Sequence, residues 1–365
     1  MSKQASIAVV VGTRPEIVKL APVVHRLEEK DGLRLLHSCQ HEDDGLSGVF
    51  FAGARLPEPR RLTGICRQSR HAQVGRMVEQ LGDIFAADPP ATVVVQGDTN
   101  TASAGAQAAN YAGIPVVHVE AGLRSFDRQM PEEINRCIVG VLADVHCAPT
   151  KRAVANLTAE GVPAAKIELT GNTIVEATLA TMPAAGRARQ IADSLGAEPD
   201  KFVLATIHRP ENTDDGDRLE TILTELSKLG LPVLMPLHPR TRLAAERHGL
   251  TTALDRLHAV GPVDHATFLG LASLARLIVS DSGGIQEECT VIKKPLIVVR
   301  NSTERQESID AGFARLVRPG PQIGELGRQL IADAALPARL RDIPCPYGDG
   351  LASDRITALV RYYLR

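Results

Sequence analysis

The residues equipped for chemistry fall in short clusters, most of them directly after an apolar run. Gly12-Thr13-Arg14-Pro15-Glu16 supplies a tight turn, a cationic side chain and the start of a helix whose free N–H groups suit an anion. In Gln96-Gly97-Asp98-Thr99-Asn100 the acid either caps a helix or reacts, since Asp, Thr and Asn all favour the cap position. In His118-Val119-Glu120-Ala121-Gly122-Leu123-Arg124, Glu120 closes an apolar run. A carboxylate there is costly to bury and needs Arg124, His118 or a ligand as partner. Pro131-Glu132-Glu133-Ile134-Asn135-Arg136 opens a helix, on which adjacent glutamates point about 100° apart, so only one of them faces a binding crevice. Glu132 and Arg136, four residues apart, also fit a plain surface pair.

A second set lies in the other half of the chain. In Ser280-Asp281-Ser282-Gly283-Gly284-Ile285-Gln286-Glu287-Glu288, paired glycines let phosphate oxygens approach the backbone, and a helix N-terminus adds partial positive charge. Glu288 returns to the face of that helix end, where a carboxylate accepts ribose hydroxyls; an ordinary serine-capped helix start is the plainer alternative. His208-Arg209-Pro210-Glu211-Asn212 and His238-Pro239-Arg240 follow two further apolar runs, and either histidine alone reads as structural. No G-x-G-x-x-G follows an apolar run, which argues against a nicotinamide cofactor. The six cysteines have no C-x-x-C spacing, which argues against a zinc site and for reduced thiols in a cytoplasm.

Parallel strands must present these clusters. Continuous β-branched runs at 7–11, 33–37, 92–95, 115–118 and 144–147 predict strands buried on both faces, separated by helices over 15–29, 72–85 and 102–111. The rhythm repeats with strands at 202–207, 232–236, 277–279 and 295–299 and helices over 217–229, 240–247 and 284–289. Two consecutive βαβ systems in 365 residues predict an α/β protein of two doubly wound domains, with a ligand crevice at the carboxyl ends of the strands. The boundary is expected after the Leu169-Thr170-Gly171-Asn172 turn. A net charge of −2 leaves no electrostatic footprint for nucleic acid or an anionic membrane surface. The five-residue apolar runs are far short of a membrane span, and the first of them leads into polar residues, unlike a signal peptide. With no Trp and 3% aromatics, ring stacking on polysaccharide is a poor fit; charge and hydrogen bonds must hold any ligand.

Together the clusters resemble the non-hydrolysing UDP-N-acetylglucosamine 2-epimerase family. The resemblance runs in order through Gly12–Glu16, Gly97-Asp98-Thr99, His118–Arg124, Pro131–Arg136, Thr170-Gly171-Asn172-Thr173, His208-Arg209, Ser282–Glu288, Thr303-Glu304-Arg305 and Pro346-Tyr347-Gly348-Asp349-Gly350. It implies the GT-B fold, two facing Rossmann-like domains: an N-terminal domain of 1–171 plus 352–365, with the C-terminal helix near 353–364 crossing back, and a UDP-binding C-terminal domain of 172–351. It implies a UDP-sugar substrate, no cofactor, no metal and a homodimer. By resemblance Asp98, Glu120 and Glu132 are the catalytic acids and bases, with their individual parts undecided. Arg14, His208 and the Ser282-Gly283-Gly284 helix start hold the pyrophosphate and Glu288 the ribose, while Lys19 and Arg136 are further substrate-binding positions.

The chain departs from the family pattern in two places. Gln40, His41, Arg209 and His238 fit positions where many members bind a second UDP-N-acetylglucosamine as activator. Asp43, however, stands where those members carry an amide, and an acid facing a sugar nucleotide argues against such activation. Only twelve residues separate Glu120 from Glu132, a short loop beside the sugar that bears on which N-acetylated sugar is accepted. The nearest rival substrate, UDP-2,3-diacetamido-glucuronate, carries a C6 carboxylate and would need an extra cation such as Arg124 or Arg128. A GT-B glycosyltransferase would need an acceptor groove, and a hydrolysing epimerase differs only in letting water capture the intermediate. A UDP-sugar sensor would not need the intact acidic set.

Overall fold

Valine, isoleucine and leucine dominate the inner strands because branched side chains fill both faces of a helix-covered sheet. In the computed structural model, which describes residues 6–28, 32–40, 48 and 51–364, these strands form two sheets, every pairing parallel. The first contains β1 (Ile7–Val11), β2 (Leu33–His37), β3 (Arg60–Arg61), β4 (Thr92–Gln96), β5 (Val116–Val119), β6 (Val145–Ala148) and β7 (Ile167–Leu169), in the order β3-β2-β1-β4-β5-β6-β7. The second contains β8 (Val203–Thr206), β9 (Val233–Pro236), β10 (His258–Val260), β11 (Leu277–Ser280), β12 (Leu296–Val299) and β13 (Ala314–Val317), in the order β10-β9-β8-β11-β12-β13.

Alternation along β1 shows how each face is covered. Ala8 and Val10 join Met77 and Leu81 of the Arg70–Ala87 helix and the alanines of the Asn100–Tyr111 helix in one core. Ile7, Val9 and Val11 join Ile17, Leu20 and Val24 of the Arg14–Glu28 helix in the other, with Ile356 and Val360 of the Ala352–Tyr362 helix. The C-terminal helix thus returns to the first sheet, as the resemblance implies. Arg26 fixes it through Asp354 at 2.5 and 3.2 Å, and Arg361 donates to the Arg26 carbonyl at 2.8 Å.

The chain divides into Met1–Ala177 with Tyr347–Arg365, and Thr178–Pro346, the first boundary falling six residues after the expected position and the second five residues before it. Asn172 donates its backbone N–H to the Tyr347 carbonyl at 2.8 Å, and Ser353 donates its N–H and hydroxyl to Glu176. These bonds tie both connecting stretches to the first unit.

Nine strands lie where the β-branched runs predict them. The four others among the described residues, β3, β7, β10 and β13, are the four sheet edges. Each is short or half exposed, so none carries the continuous apolar run of a strand covered on both faces. Among the described residues no helix is long and apolar enough to cross a membrane.

Because all pairings are parallel, the turns after β1, β2, β4 and β5 leave the first sheet at one edge, and those after β8, β9, β11 and β12 leave the second sheet likewise. Three histidines are sealed into the first unit: His37 ends β2, and His118 of β5 pairs in register with His146 of β6. Burial pushes His37 and His146 down to about 4 and His118 to about 3. Below pH 6.5 the unfolded chain binds protons that these folded rings refuse, so stability falls as pH falls toward 4. Glu16, raised by burial to about 7, and Glu176, also raised by burial, oppose this, but they are two groups against three. Urea unfolding of the first unit is therefore expected at a lower midpoint at pH 5 than at pH 7; an equal or higher midpoint would contradict the neutral buried histidines.

Candidate active site

In the first unit the turn after β1 is organised by its own acid. Thr13 and Glu16 have the spacing of a capping box, in which the acid three residues on reaches back to the helix-start N–H groups. Glu16 Oε2 accepts from the backbone N–H of Gly12 at 3.0 Å and of Thr13 at 2.7 Å, and from the Thr13 hydroxyl at 2.8 Å. Its Oε1 accepts from the Thr99 hydroxyl at 2.7 Å. The anion suited to this helix start is thus supplied by the protein itself, and the Arg14 side chain beside it is exposed. Burial of Glu16 outweighs the donors and raises its carboxyl to about 7. Gly12 is obligatory here: a Cβ would lie 2.0 Å from Thr101 Oγ1 and 2.2 Å from Ser38 Oγ.

Asp98 follows β4. Thr99, not Asp98, caps the Asn100–Tyr111 helix, its side chain accepting from the Ala102 N–H at 3.0 Å. Asp98 is thereby released from the capping role the sequence left open. Its carboxylate meets Arg136 at 2.5 Å, and its backbone carbonyl accepts from Asn135 at 2.8 Å. Arg136 also pairs with Glu133 at 2.7 Å. Of the two adjacent glutamates, Glu133 is the buried one. Burial alone would raise its carboxyl, but the Ser125 amide, Arg136 and the Phe126 amide hold it below its ordinary value. Glu132 is exposed in the first turn of the Pro131–Leu142 helix, one turn before Arg136.

Glu120 follows β5 in the left-handed backbone region, φ +66°, a strained conformation for a residue other than glycine. Its partner is Lys19 at 2.5 Å, with both side chains 5% exposed; Asn172 donates to the same oxygen at 3.2 Å. The expected partners are committed elsewhere. Arg124 makes a two-pronged pair with Glu160 at 2.6 Å on each arm, and His118 Nε2 bonds the Gly97 carbonyl at 2.9 Å. Gln96 and Val119 are register partners, so Asp98 and Glu120 leave neighbouring strands.

In the second unit Asp281, just past β11, is fully buried. It accepts the backbone N–H groups of His208 at 3.0 Å and Arg209 at 2.9 Å, and the Asn212 amide at 3.0 Å. His208 Nδ1 lies 3.1 Å from its carboxylate, so the proton belongs on Nδ1 and the opposite ring edge is left for other work. Burial would raise Asp281, but His208, the Arg209 amide and Asn212 hold it low. Ser282 precedes the Gly283–Val291 helix without a side-chain cap, and no acid occupies its first turn. A Cβ on Gly283 would meet Arg305 Nη1 at 3.0 Å, whereas one on Gly284 would meet nothing within 4 Å. Glu288 is paired at 2.7 Å with His265 Nε2.

The activator-type residues serve local structure. The Gln40 side-chain oxygen accepts from the Thr101 hydroxyl at 2.9 Å, Arg209 donates to the Asp281 carbonyl at 3.0 Å, and His238 packs its ring 5.3 Å from His208 while accepting from the Arg240 N–H. His41 and Asp43 lie outside the described residues. Among the described residues no group of three or more His, Cys, Asp or Glu is placed to hold a metal. Glu16, Glu133, Asn172, His265 and Asp281 bond the candidate residues or the turns that carry them without having been singled out as site residues; only Glu16 had a legible signal, its capping-box spacing.

Two Rossmann-like units, one with acids at its strand ends and one with an open glycine helix start, define an α/β protein of the GT-B class. Residues 25–361 match the profile of the UDP-N-acetylglucosamine 2-epimerase family, and the chain belongs to that family. The UDP-N-acetylglucosamine 2-epimerase of Methanocaldococcus jannaschii is 36% identical over 98% of this chain and 99% of its own. The crystal structure of that archaeal enzyme in complex with UDP-GlcNAc and UDP matches with a TM-score of 0.87 at 35% identity, covering 98% of this chain and 99% of the other. The UDP-2,3-diacetamido-2,3-dideoxy-D-glucuronate 2-epimerase of Pseudomonas aeruginosa is 35% identical over 96% of this chain and 98% of its own.

Replacing Gly12 by Ala forces a methyl group into the Ser38 and Thr101 hydroxyls. A loss of about 1–3 kcal/mol is expected in urea unfolding; a stability equal to that of the parent would show that the β1 turn can relax.

Proposed function

We propose that the protein interconverts UDP-N-acetylglucosamine and UDP-N-acetylmannosamine by reversible C2 epimerisation. The observation that carries this reading is the pair of carboxylates, Asp98 and Glu120, leaving neighbouring strands and each held by its own cation. No carbonyl adjoins C2 of the sugar, so its proton is not acidic enough for simple removal and return. Elimination avoids the problem. A carboxylate takes the C2 proton, the C2–H electron pair becomes the C1=C2 bond of 2-acetamidoglucal, and UDP departs with the C1–O electron pair. In the return step a UDP oxygen re-adds to C1 while a carboxylic acid protonates C2 on the opposite face, which needs acid–base groups on two sides of the sugar and firm support for the departing pyrophosphate.

Asp98, Glu120 and Glu132 are assigned to the proton transfers. An adjacent cation favours the ionised carboxylate, the form a base requires. Arg14, Lys19 and Arg136 are assigned to substrate binding in the first unit. In the second, the Gly283–Val291 helix start with Ser282, Gly283 and Gly284 would hold the pyrophosphate. His208, oriented by Asp281, would meet its developing charge, and Glu288 would accept ribose hydroxyls. Gly284 supports this, because neither backbone angle nor packing requires a glycine there, whereas a ligand pressed against the helix start would.

Identity does not separate the two substrates named among the relatives. Glu160 takes the Arg124 guanidinium, so of the two cations that a C6 carboxylate would call for, Arg128 is the one that remains. We assign the enzyme to the cytoplasm, where its six free cysteines stay reduced, and to a homodimer on the family's pattern.

Incubation with UDP-N-acetylglucosamine in D₂O is expected to give UDP-N-acetylmannosamine carrying deuterium at C2, read by proton NMR. Free N-acetylmannosamine would mean that water captures the intermediate, and unchanged substrate would point to the diacetamido sugar or to a transferase. Asp98→Asn is expected to abolish turnover while UDP binding, read by calorimetry, persists. Gly284→Ala is expected to leave thermal stability unchanged and to weaken UDP binding; undiminished affinity would remove the pyrophosphate from this helix start.

A further inference from the structure

The turn carrying Arg14 and the turn carrying Asp98 leave different strands, and one buried side chain bonds both. Glu16 is 1% exposed. It gathers the Gly12 and Thr13 backbone N–H groups and the Thr13 hydroxyl on one oxygen, and the Thr99 hydroxyl on the other. Thr99 adjoins Asp98, and its own oxygen caps the Asn100–Tyr111 helix at the Ala102 N–H. On the far side, Asn135 holds the Asp98 carbonyl and Arg136 its carboxylate.

We infer that Glu16 is a positioning residue for the epimerisation: through Thr99 it fixes the Asp98 carboxylate relative to the Arg14 turn, without touching the substrate. The chemistry explains why a carboxylate is used. Four donors converge on the side chain, and only a carboxylate accepts on both oxygens; an amide at this position turns one acceptor into a donor. Arg136 holds the Asp98 carboxylate at one end. The Thr99 anchor fixes the backbone on the other side of Asp98, and a proton transfer needs its base held to within a fraction of an ångström.

This role rests on the epimerase reading, and the experiment separates the two. Steady-state kcat and KM for UDP-N-acetylglucosamine, with C2 deuterium exchange, are measured on full-length wild type, Glu16→Gln, Thr99→Val, Thr99→Ser and the Glu16→Gln/Thr99→Val double variant. Glu16→Gln and Thr99→Val are each expected to lower kcat roughly 10- to 100-fold. KM and UDP affinity should be unchanged, and the double variant should be no slower than the worse single one, because both break the same link. Thr99→Ser, which keeps the hydroxyl, is expected to recover most of the rate even if Glu16→Gln folds poorly. Multiplicative losses, or a raised KM at unchanged kcat, would overturn the role and make Glu16 a brace for Arg14 or for the fold. Failure of the wild type to exchange C2 would overturn the epimerase reading and this role with it, whereas wild-type exchange with undiminished Thr99→Val would overturn the role alone.

Discussion

A strand covered by helices on both faces has no place along its middle for a charge, because every side chain there points into an apolar layer. β1, β4, β5, β8, β11 and β12 are covered in this way. Charged chemistry is confined to the turns where these strands end, and parallel pairing puts the ends of each sheet at one edge. The distribution of Arg14, Asp98 and Glu120 in one unit, and of His208, Asp281 and the Ser282–Gly284 turn in the other, follows from that confinement.

Those turns are themselves largely sealed, so each carboxylate is compensated locally. Lys19 neutralises Glu120, and Arg136 joins Asp98 to Glu133, while Asp281 relies on the His208 ring, two backbone N–H groups and an amide. Stripping one partner from a fully buried pair costs about 3–5 kcal/mol, since the remaining charge cannot return to water. The strained backbone at Glu120 is tolerated because Lys19 and Asn172 both hold its side chain.

The inner strands and the alternation of elements were legible because burial on both faces writes itself as unbroken β-branched runs, whereas the returning C-terminal helix was expected only from the family resemblance. The four edge strands were not, since an edge needs neither length nor an apolar pair of faces: β3 is only Arg60–Arg61, and β10 exposes His258. Candidate acids were legible by type and by their place after strands. Their partners were not. Glu120 pairs with Lys19, 101 residues away in sequence, rather than with the nearby Arg124 or His118, because only the folded sheet brings the Arg14–Glu28 helix to the end of β5. Glu133 likewise looked equivalent to Glu132 until the 125–126 turn supplied two backbone N–H groups to it.

The two strand–turn–helix junctions at the heart of the protein look alike in sequence and act in opposite ways. Each has glycine at or near the turn and a helix whose first N–H groups need an acceptor. At Gly12–Glu16 an acid sits in the first turn and fills that need from within, so the junction becomes a rigid brace. At Ser282–Gly284 the first turn holds no acid, the serine does not cap, and Gly284 leaves open space above the helix start. One carboxylate, present or absent three residues into the helix, sets the two junctions apart. On that distinction we propose bracing for the first unit's turn and nucleotide binding for the second's, although both share the same strand-to-helix design.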